Sequence, residues 1–284
     1  MATSYIVWYM KNYEGMKVMR LTSIASGSSG NCIYVGSDQA NILVDAGISG
    51  KKIQNGLDTL GVDPKKLDGI LVTHEHVDHI AGLGVMARRY HLPLYMTEKT
   101  AHAVLNTKSV GKIDMDLFQI IKPNQPFQIK DMKIDATSIW HDAADPVCYS
   151  MESQGVKASI ATDLGNYHEG IVEKLQGSDI LFLEANHDIN MLQVGPYPYY
   201  LKRRILSNQG HLSNERSGQL LCDIFSNNTK EVFLGHLSKD NNYSELAYET
   251  VKLVLAEQGI MAEHDQFNLQ VANRDTVSKL AVVG

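Results

Sequence analysis

The sequence has few cysteines and no excess of positive charge. Its three cysteines, Cys32, Cys148 and Cys222, are far apart and form no Cys-x-x-Cys pair. They support neither a disulfide framework nor a zinc ribbon, and isolated thiols of this kind fit a reducing cytoplasm. Lysine and arginine number 26 against 32 aspartates and glutamates, so the formal net charge is −6. Since no overall positive field attracts nucleic acid or an anionic membrane, any polyanion must be bound locally.

Long apolar runs are also missing. No stretch reaches the length of a transmembrane helix, and we expect no membrane association. The apolar segment 5–10 has neither a basic region before it nor a small-residue cleavage site after it, which argues against a secretory signal. We predict that residues 1–15 are a loosely attached extension and that residues 16–284 form one domain. With 284 residues and 44% hydrophobic composition, that domain can bury a large α/β core.

The middle of the chain predicts a run of short strands. The segments 118–120, 127–129 and 132–136 alternate polar and apolar residues, and polar or proline-containing turns separate them. This spacing predicts three antiparallel strands, and the segments 147–151 and 158–161 predict a hairpin after them.

What the sequence does contain is a dense group of imidazoles and carboxylates at residues 73–79, Thr-His-Glu-His-Val-Asp-His. An apolar, β-branched run directly before it predicts a buried strand, and a helical pattern follows it. His74 and His76 are two apart and can face one ion, whereas Asp78 and His79 lie where the chain turns and point elsewhere. Since four such groups do not close comfortably on one tetrahedral ion, the segment favours two neighbouring metal sites over a solvated polar turn.

This His-x-His-x-Asp-His pattern resembles the signature of the metallo-β-lactamase superfamily. Within that superfamily the chain is similar to the YycJ/WalJ-like group, also called VicX, through segments such as Ser-Gly-Ser-Ser-Gly-Asn-Cys, Leu-Glu-Ala-Asn-His-Asp and Gly-His-Leu-Ser-Lys-Asp-Asn. The resemblance implies an α/β fold, a four-layer αββα sandwich in which two mixed sheets are flanked by helices. It further implies a nuclease-like hydrolase with exonuclease action on DNA, and a functional link to a cell-wall two-component system.

Further candidate ligands each follow a predicted strand, and the resemblance gives them their roles. A lone strand-end residue such as His141 or Asp163 is ordinarily a surface, core or capping residue. The superfamily places metal ligands at these positions, with Asp163 bridging two ions, and places Asp45 behind the ligands. The implied ligands are His74, His76, His141 and Asp163 for one ion, and Asp78, His79, Asp163 and His236 for the other. Nitrogen and oxygen ligands without sulfur suit two divalent ions, Zn²⁺ or else Mn²⁺ or Fe²⁺.

Such a pair of ions would share a hydroxide that attacks the substrate. The order of Glu184 and His211 along the chain is similar to that in the tRNA 3′-processing enzymes, in which the histidine matching His211 assists the phosphate and the leaving group. The resemblance therefore gives catalytic roles to Asp78, Glu184 and His211, with an exposed histidine near a helix cap as the alternative for His211. The short span from His141 to Asp163 leaves no room for the protruding arm of those enzymes, which argues against tRNA maturation.

The substrate is predicted from the residues expected around the ions. The segment 194–204 interleaves three tyrosines with three cations. This combination can stack single-stranded nucleic acid and neutralise its phosphates; a packing loop with a solvated helix start is the alternative. The candidate substrate contacts are Asn31, Tyr197, Tyr199, Arg203, Arg204 and Lys239. We expect a phosphodiesterase, an exonuclease on single-stranded or 5′-ended DNA. The alternatives are an ester, thioester or lactam hydrolase, and a regulatory metal-binding protein; the oligomeric state stays open.

Overall fold

The computed structural model describes residues 18–260 and 267–284. The strands, in chain order, are β1 (Met19–Ala25), β2 (Cys32–Gly36), β3 (Asn41–Val44), β4 (Gly69–Leu71), β5 (Leu94–Thr97), β6 (Phe118–Ile121), β7 (Phe127–Ile129), β8 (Met132–Ser138), β9 (Val147–Ser153), β10 (Val156–Ala161), β11 (Ile180–Glu184), β12 (Glu231–Gly235), β13 (Asn268–Val271) and β14 (Ala281–Val283). The helices are α1 (Gly50–Leu60), α2 (Val77–Ile80), α3 (Leu83–Tyr90), α4 (Glu98–Asn106), α5 (Glu169–Leu175), α6 (Ile189–Val194), α7 (Tyr199–Ile205), α8 (Asn214–Ile224) and α9 (Ser244–Glu257). The predicted extension, residues 1–15, lies outside the described residues, so the domain division at residue 16 stays a prediction.

The strands form two seven-stranded sheets, in the orders β14-β1-β2-β3-β4-β5-β6 and β13-β12-β11-β10-β9-β8-β7. Each sheet is mixed. In the first sheet β3, β4 and β5 run parallel, and in the second sheet β10, β11 and β12 do. In sheets of this kind, ligands bind beyond the carboxyl ends of the parallel strands. The residues that follow these strands are therefore placed where a site is expected.

Apolar side chains fill three layers around the two sheets. Leu21 and Val44 of the first sheet meet Tyr149 and Phe182 of the second in a buried layer between them. Helices α1, α3 and α4 pack on the outer face of the first sheet, and α5, α8 and α9 pack on the outer face of the second. The predicted αββα sandwich is confirmed. No helix within residues 18–260 is both long and apolar enough to span a bilayer.

Helix α1 shows how the local sequence produces these layers. Ile53, Leu57 and Leu60 are fully or almost fully buried and recur at the spacing of one helical face. The side chain of Ser49 accepts a hydrogen bond from a first-turn N–H, and Gly61 ends the helix with φ of 71°. The helix is therefore bounded by its caps and held by its apolar face.

One predicted strand pairing is wrong. Strand β6 does not join β7 and β8; it runs parallel to β5 at the edge of the first sheet, with Leu94 opposite Phe118. Strands β7 and β8 are antiparallel, as predicted, but belong to the second sheet, because the chain crosses between the sheets after β6. Alternation indicates a half-buried strand and does not identify its neighbour. The predicted hairpin of β9 and β10 is confirmed.

Candidate metal centre

Three imidazoles converge beyond the ends of β4 and β8. Nε2 of His74 lies 3.0 Å from Nδ1 of His76, and Nε2 of His141 lies 3.2 Å from the same His76 atom. Ligand atoms about 2.1 Å from one tetrahedral ion are roughly 3.4 Å apart, so these spacings fit a shared ion. Burial, followed by repulsion from His79, lowers the pKa of His74 well below its usual value. Its ring is therefore neutral, which is the form that binds metal.

A second group of ligand atoms adjoins the first. Nε2 of His79 lies 3.6 Å from Oδ2 of Asp78 and 3.2 Å from Oδ2 of Asp163. The other oxygen of Asp163 lies 3.3 Å from Nε2 of His236 and 3.8 Å from Nε2 of His141. Burial alone would raise the pKa of Asp163, but His236 and His79 hold it well below its usual range. An ionised Asp163 thus lies between the two groups, where a bridging carboxylate would be needed.

Hydrogen bonds behind the rings fix their orientation. Oδ2 of Asp45 lies 2.7 Å from Nδ1 of His79, and Oδ1 of Asp45 accepts a hydrogen bond from the Thr73 N–H at 2.8 Å. The Gly210 carbonyl lies 3.1 Å from Nδ1 of His141 in the same way. In His79 and His141 the contact thus occupies Nδ1 and leaves Nε2 for the site, which is how ligating histidines are held.

Three strand-end residues of the site have left-handed backbone. Asp45, Asp163 and His236 have φ of 63°, 60° and 55°. For non-glycine residues this conformation costs of order 1–3 kcal/mol and persists only where the surroundings impose it. At His236 the N–H donates to Ser26 Oγ at 2.8 Å, and the carbonyl accepts from Asn186 Nδ2 at 3.0 Å. Among the described residues, three of the seven non-glycine residues with positive φ therefore lie where the candidate ligands meet.

An ion pair between the buried Glu184 and the partly exposed His211 lies at the opening of this cluster. Oε1 of Glu184 lies 2.7 Å from Nδ1 of His211, and Oε2 accepts hydrogen bonds from the N–H groups of Leu164 and Leu212 at 2.9 and 3.1 Å. Burial alone would lower the pKa of His211, but Glu184 raises it to about 9. Nδ1 of His211 is also 3.6 Å from Oδ1 of Asp163. A protonated imidazole here can stabilise negative charge on a substrate and donate a proton.

The structure brings all candidate ligands together with Asp45, Glu184 and His211, and it separates the candidate substrate contacts. Tyr197 and Arg204 line a cleft of about 170 Å³ together with His211. Asn31 is buried and contacts the segment 73–79, with Nδ2 3.2 Å from Nε2 of His79. The other predicted contacts, Tyr199, Arg203 and Lys239, are not among the residues that line this cleft.

Two residues that the sequence did not single out also lie at the site. Asn186 is buried, contacts the His236 backbone and lines the cleft; it falls inside the Leu-Glu-Ala-Asn-His-Asp segment, which is a signal that could have found it. Asp142 has Oδ1 3.5 Å from Nε2 of His141, while its Oδ2 accepts a hydrogen bond from Arg204. For Asp142 the sequence offers no signal beyond its place next to His141.

Comparison with known proteins identifies the class. Residues 40–236 match the model of a family described as the β-lactamase superfamily domain, and the chain belongs to the metallo-β-lactamase superfamily. It is 40% identical over 85% of its length to a Bacillus anthracis protein named exodeoxyribonuclease YycJ, of which it covers 90%. It is 39% identical over 92% of its length to exodeoxyribonuclease WalJ of Streptococcus pneumoniae, of which it covers 96%. The predicted resemblance is confirmed.

A solved structure shows the same fold. The metallo-β-lactamase fold protein YhfI from Bacillus subtilis matches with a TM-score of 0.65 at 18% identity, over 92% of this chain and 99% of that one. At that identity the match supports the αββα architecture alone.

Proposed function

We propose that the protein is a two-metal phosphodiesterase that removes nucleotides from the end of a DNA strand. Relatives that it matches over most of their length are named exodeoxyribonucleases. The observation that carries the proposal is the placement of the His211–Glu184 pair beside Asp163, because a charged imidazole next to a dimetal cluster suits a phosphoryl group.

The side chains present fit two divalent ions. His74, His76, His141 and Asp163 would hold one, and Asp78, His79, Asp163 and His236 would hold the other. Oδ2 of Asp163 is buried and lies 3.2 Å from Nε2 of His79, but it forms no well-oriented hydrogen bond to any described residue, and such an oxygen suits a cation. When bound, Zn²⁺, Mn²⁺ or Fe²⁺ would lower the pKa of water from 15.7 toward about 7 and polarise a phosphoryl oxygen.

His211 is the proton donor in this proposal. Its Nδ1 faces Glu184 and its ring lines the cleft, so the proton on Nε2 is the one available to a phosphate or leaving oxygen. Glu184 keeps the ring charged and, through its bonds to two backbone N–H groups, fixed in position. Asp78 is 26% exposed at its side chain and lies at the open side of the second ligand group.

A nucleic acid strand would approach along α7. Tyr199 and Tyr200 are 75% and 74% exposed at its start, and Arg203 lies over the Tyr199 ring at 6.0 Å. Exposed aromatic rings beside cations are suited to stacking bases and contacting phosphates on a chain whose net charge is negative. We include Lys239 in this surface because it is exposed and follows His236. DNA is the proposed partner; the link to a two-component system stays a prediction.

The test uses metal-loaded protein and single strands labelled at the 5′ or the 3′ end. We expect mononucleotides to be released from one end only, and EDTA to stop the reaction. Circular single-stranded DNA is the matched control and should resist. Hydrolysis of a nitrophenyl ester, a thioester or a lactam without any DNA cleavage would instead establish the competing acyl-hydrolase function.

A further inference from the structure

We propose that Asp142 is a positioning residue, which holds Arg204 so that its guanidinium grips the phosphate beside the scissile bond. This rests on the proposed phosphodiesterase function and extends it to the residue that selects phosphate. It is drawn from the contacts of Arg204 and Asp142 at the rim of the cleft.

Arg204 is the cation of α7 that lines the cleft. Nζ of Lys202 donates to the carbonyls of Gln193 and Gly195, both at 2.7 Å, and so stabilises the preceding turn. Arg203 lies over Tyr199 on the exposed side. Arg204, in contrast, lines the same cleft as His211. Of three consecutive cations, one is therefore placed to meet a substrate inside the cleft.

The guanidinium of Arg204 is hydrogen-bonded through Nε and leaves Nη1 and Nη2 available. Its Nε donates to Oδ2 of Asp142, and the side chain is 54% exposed. Of the residues that the structure describes, none accepts a hydrogen bond from its Nη1 or Nη2. Those two groups form a fork that matches two oxygens of a phosphate. Asp142 thus fixes the plane of the guanidinium without using the atoms that would bind substrate.

The backbone around this pair is a single packed unit. A Cβ on Gly210 would lie 2.4 Å from the Arg204 carbonyl and 2.1 Å from the Ile205 carbonyl, so only glycine allows this approach. The Asp142 N–H donates to the Gln209 carbonyl at 3.2 Å, and the His211 N–H donates to the Ile205 carbonyl at 3.0 Å. The backbone at Arg204 is therefore fixed relative to that at His211, and both are fixed relative to the loop that carries His141.

This arrangement makes recognition depend on shape more than on charge. Asp142 partly neutralises Arg204, so the pair adds little net charge to the cleft. The fork should then discriminate a phosphate from an ester carbonyl by its two parallel hydrogen bonds. Lysine, which supplies charge without the fork, should not replace arginine.

A double-variant cycle tests the proposal. Arg204→Ala should lower kcat/KM for single-stranded DNA about 10- to 100-fold, which is the loss expected for hydrogen bonds to a charged group. Arg204→Lys should restore little of it. Asp142→Ala should lower kcat/KM about 10-fold, and Asp142→Asn, which keeps an acceptor oxygen, should recover most of that. Because Asp142 acts through Arg204, Asp142→Ala should have no further effect in the Arg204→Ala background.

Two further measurements separate positioning from folding and from metal binding. The first is metal content and the thermal midpoint, both of which should be unchanged in Asp142→Asn and Arg204→Ala. The second is calorimetry with inorganic phosphate, which should bind metal-loaded Arg204→Ala and Asp142→Ala about 10-fold more weakly than the parent protein. The matched control is Asp135→Asn. Oδ2 of Asp135 pairs with Nζ of Lys174 at a distance of 2.6 Å, and neither residue lines the cleft, so this variant should leave kcat/KM unchanged.

Three results would overturn the inference: an undiminished effect of Asp142→Ala in the Arg204→Ala background, loss of metal in Asp142→Asn, or unaltered phosphate binding in Arg204→Ala. Absence of DNA cleavage by the unsubstituted protein would refute the proposed function instead, and the phosphate-binding comparison would still decide the role of Arg204.

Discussion

The ligand cluster and the exposed surface of α7 beside it, which we call the wall, are built in opposite ways. Arg204 of this wall lines the cleft, and Tyr199 lies outside the cleft. The side chains of His79 and Asp163 are at most 3% exposed. Asp163 follows the end of β10, and His79 lies in the short helix α2 after β4, with Asp45 behind its ring. In the wall, Arg204 is half exposed and held by one ion pair, and Tyr199 is three-quarters exposed. The rigid sheets thus fix the groups that would carry the reaction, and a surface helix presents those that would select the substrate. Substitutions should remove the reaction in the first region and weaken binding in the second.

The largest effect is expected at Asp163. Asp163→Ala should lose both ions and abolish metal-dependent hydrolysis, because the two oxygens of this carboxylate lie 3.3 Å from His236 and 3.2 Å from His79. Metal content by mass spectrometry and cleavage of a labelled strand measure it. Asp116→Ala removes an exposed carboxylate and serves as the control. Full activity of Asp163→Ala would remove the basis for treating the cluster as one dimetal centre.

His211 contacts Glu184 and Asp163 in the cluster and also lines the cleft. Its loss should therefore slow the reaction without releasing the ions. His211→Ala should retain both ions and reduce kcat for phosphodiester cleavage by about 10² to 10⁴, the usual contribution of a general acid. The exposed His102 provides the control variant. Loss of metal in His211→Ala would mean that the residue holds an ion and is not a proton donor.

The Glu184–His211 pair should also make stability depend on pH in the metal-free protein. Since Glu184 raises the pKa of His211 from 6.5 to about 9, the folded state binds this proton more tightly than the unfolded state. The resulting stabilisation is fully present below pH 6.5 and is lost as the pH rises through about 9. It amounts to at most about 3 kcal/mol.

Glu184→Gln tests this dependence. Urea unfolding in EDTA should give the variant a lower free energy of unfolding than the parent at pH 6. This difference in free energy should be smaller at pH 9.5. The hydrogen bonds from Leu164 and Leu212 can still form to the Gln oxygen, so their contribution is the same at every pH. A gap of equal size at both pH values would show that His211 is not charged by Glu184.

The two regions also differ in what the sequence revealed. The segment 73–79 of the cluster was predictable from its own dense group of imidazoles and carboxylates after an apolar strand. His141, Asp163 and His236 are lone residues after strands, and the resemblance to the superfamily singled them out. Their convergence is observed, whereas their roles as ligands stay predictions. The wall was predicted only in outline, since the contact of Asp142 with Arg204 joins residues 62 apart and leaves no local pattern. The pairing of β6 was missed for the same reason, because alternation reports burial and not the neighbouring strand.

The smallest effect is expected on the wall. Tyr199→Ala should raise KM for single-stranded DNA several-fold with little change in kcat, since stacking of one base contributes about 1–3 kcal/mol and an exposed ring should give the lower figure. Tyr199→Phe keeps the ring and should behave as the parent, and Tyr243→Ala, an exposed tyrosine before α9, is the control. Initial rates of cleavage over a range of strand concentrations give kcat and KM separately. If Tyr199→Ala lowered kcat and left KM unchanged, the ring would act on the reaction itself, and the separation between a reactive cluster and a binding wall would no longer hold.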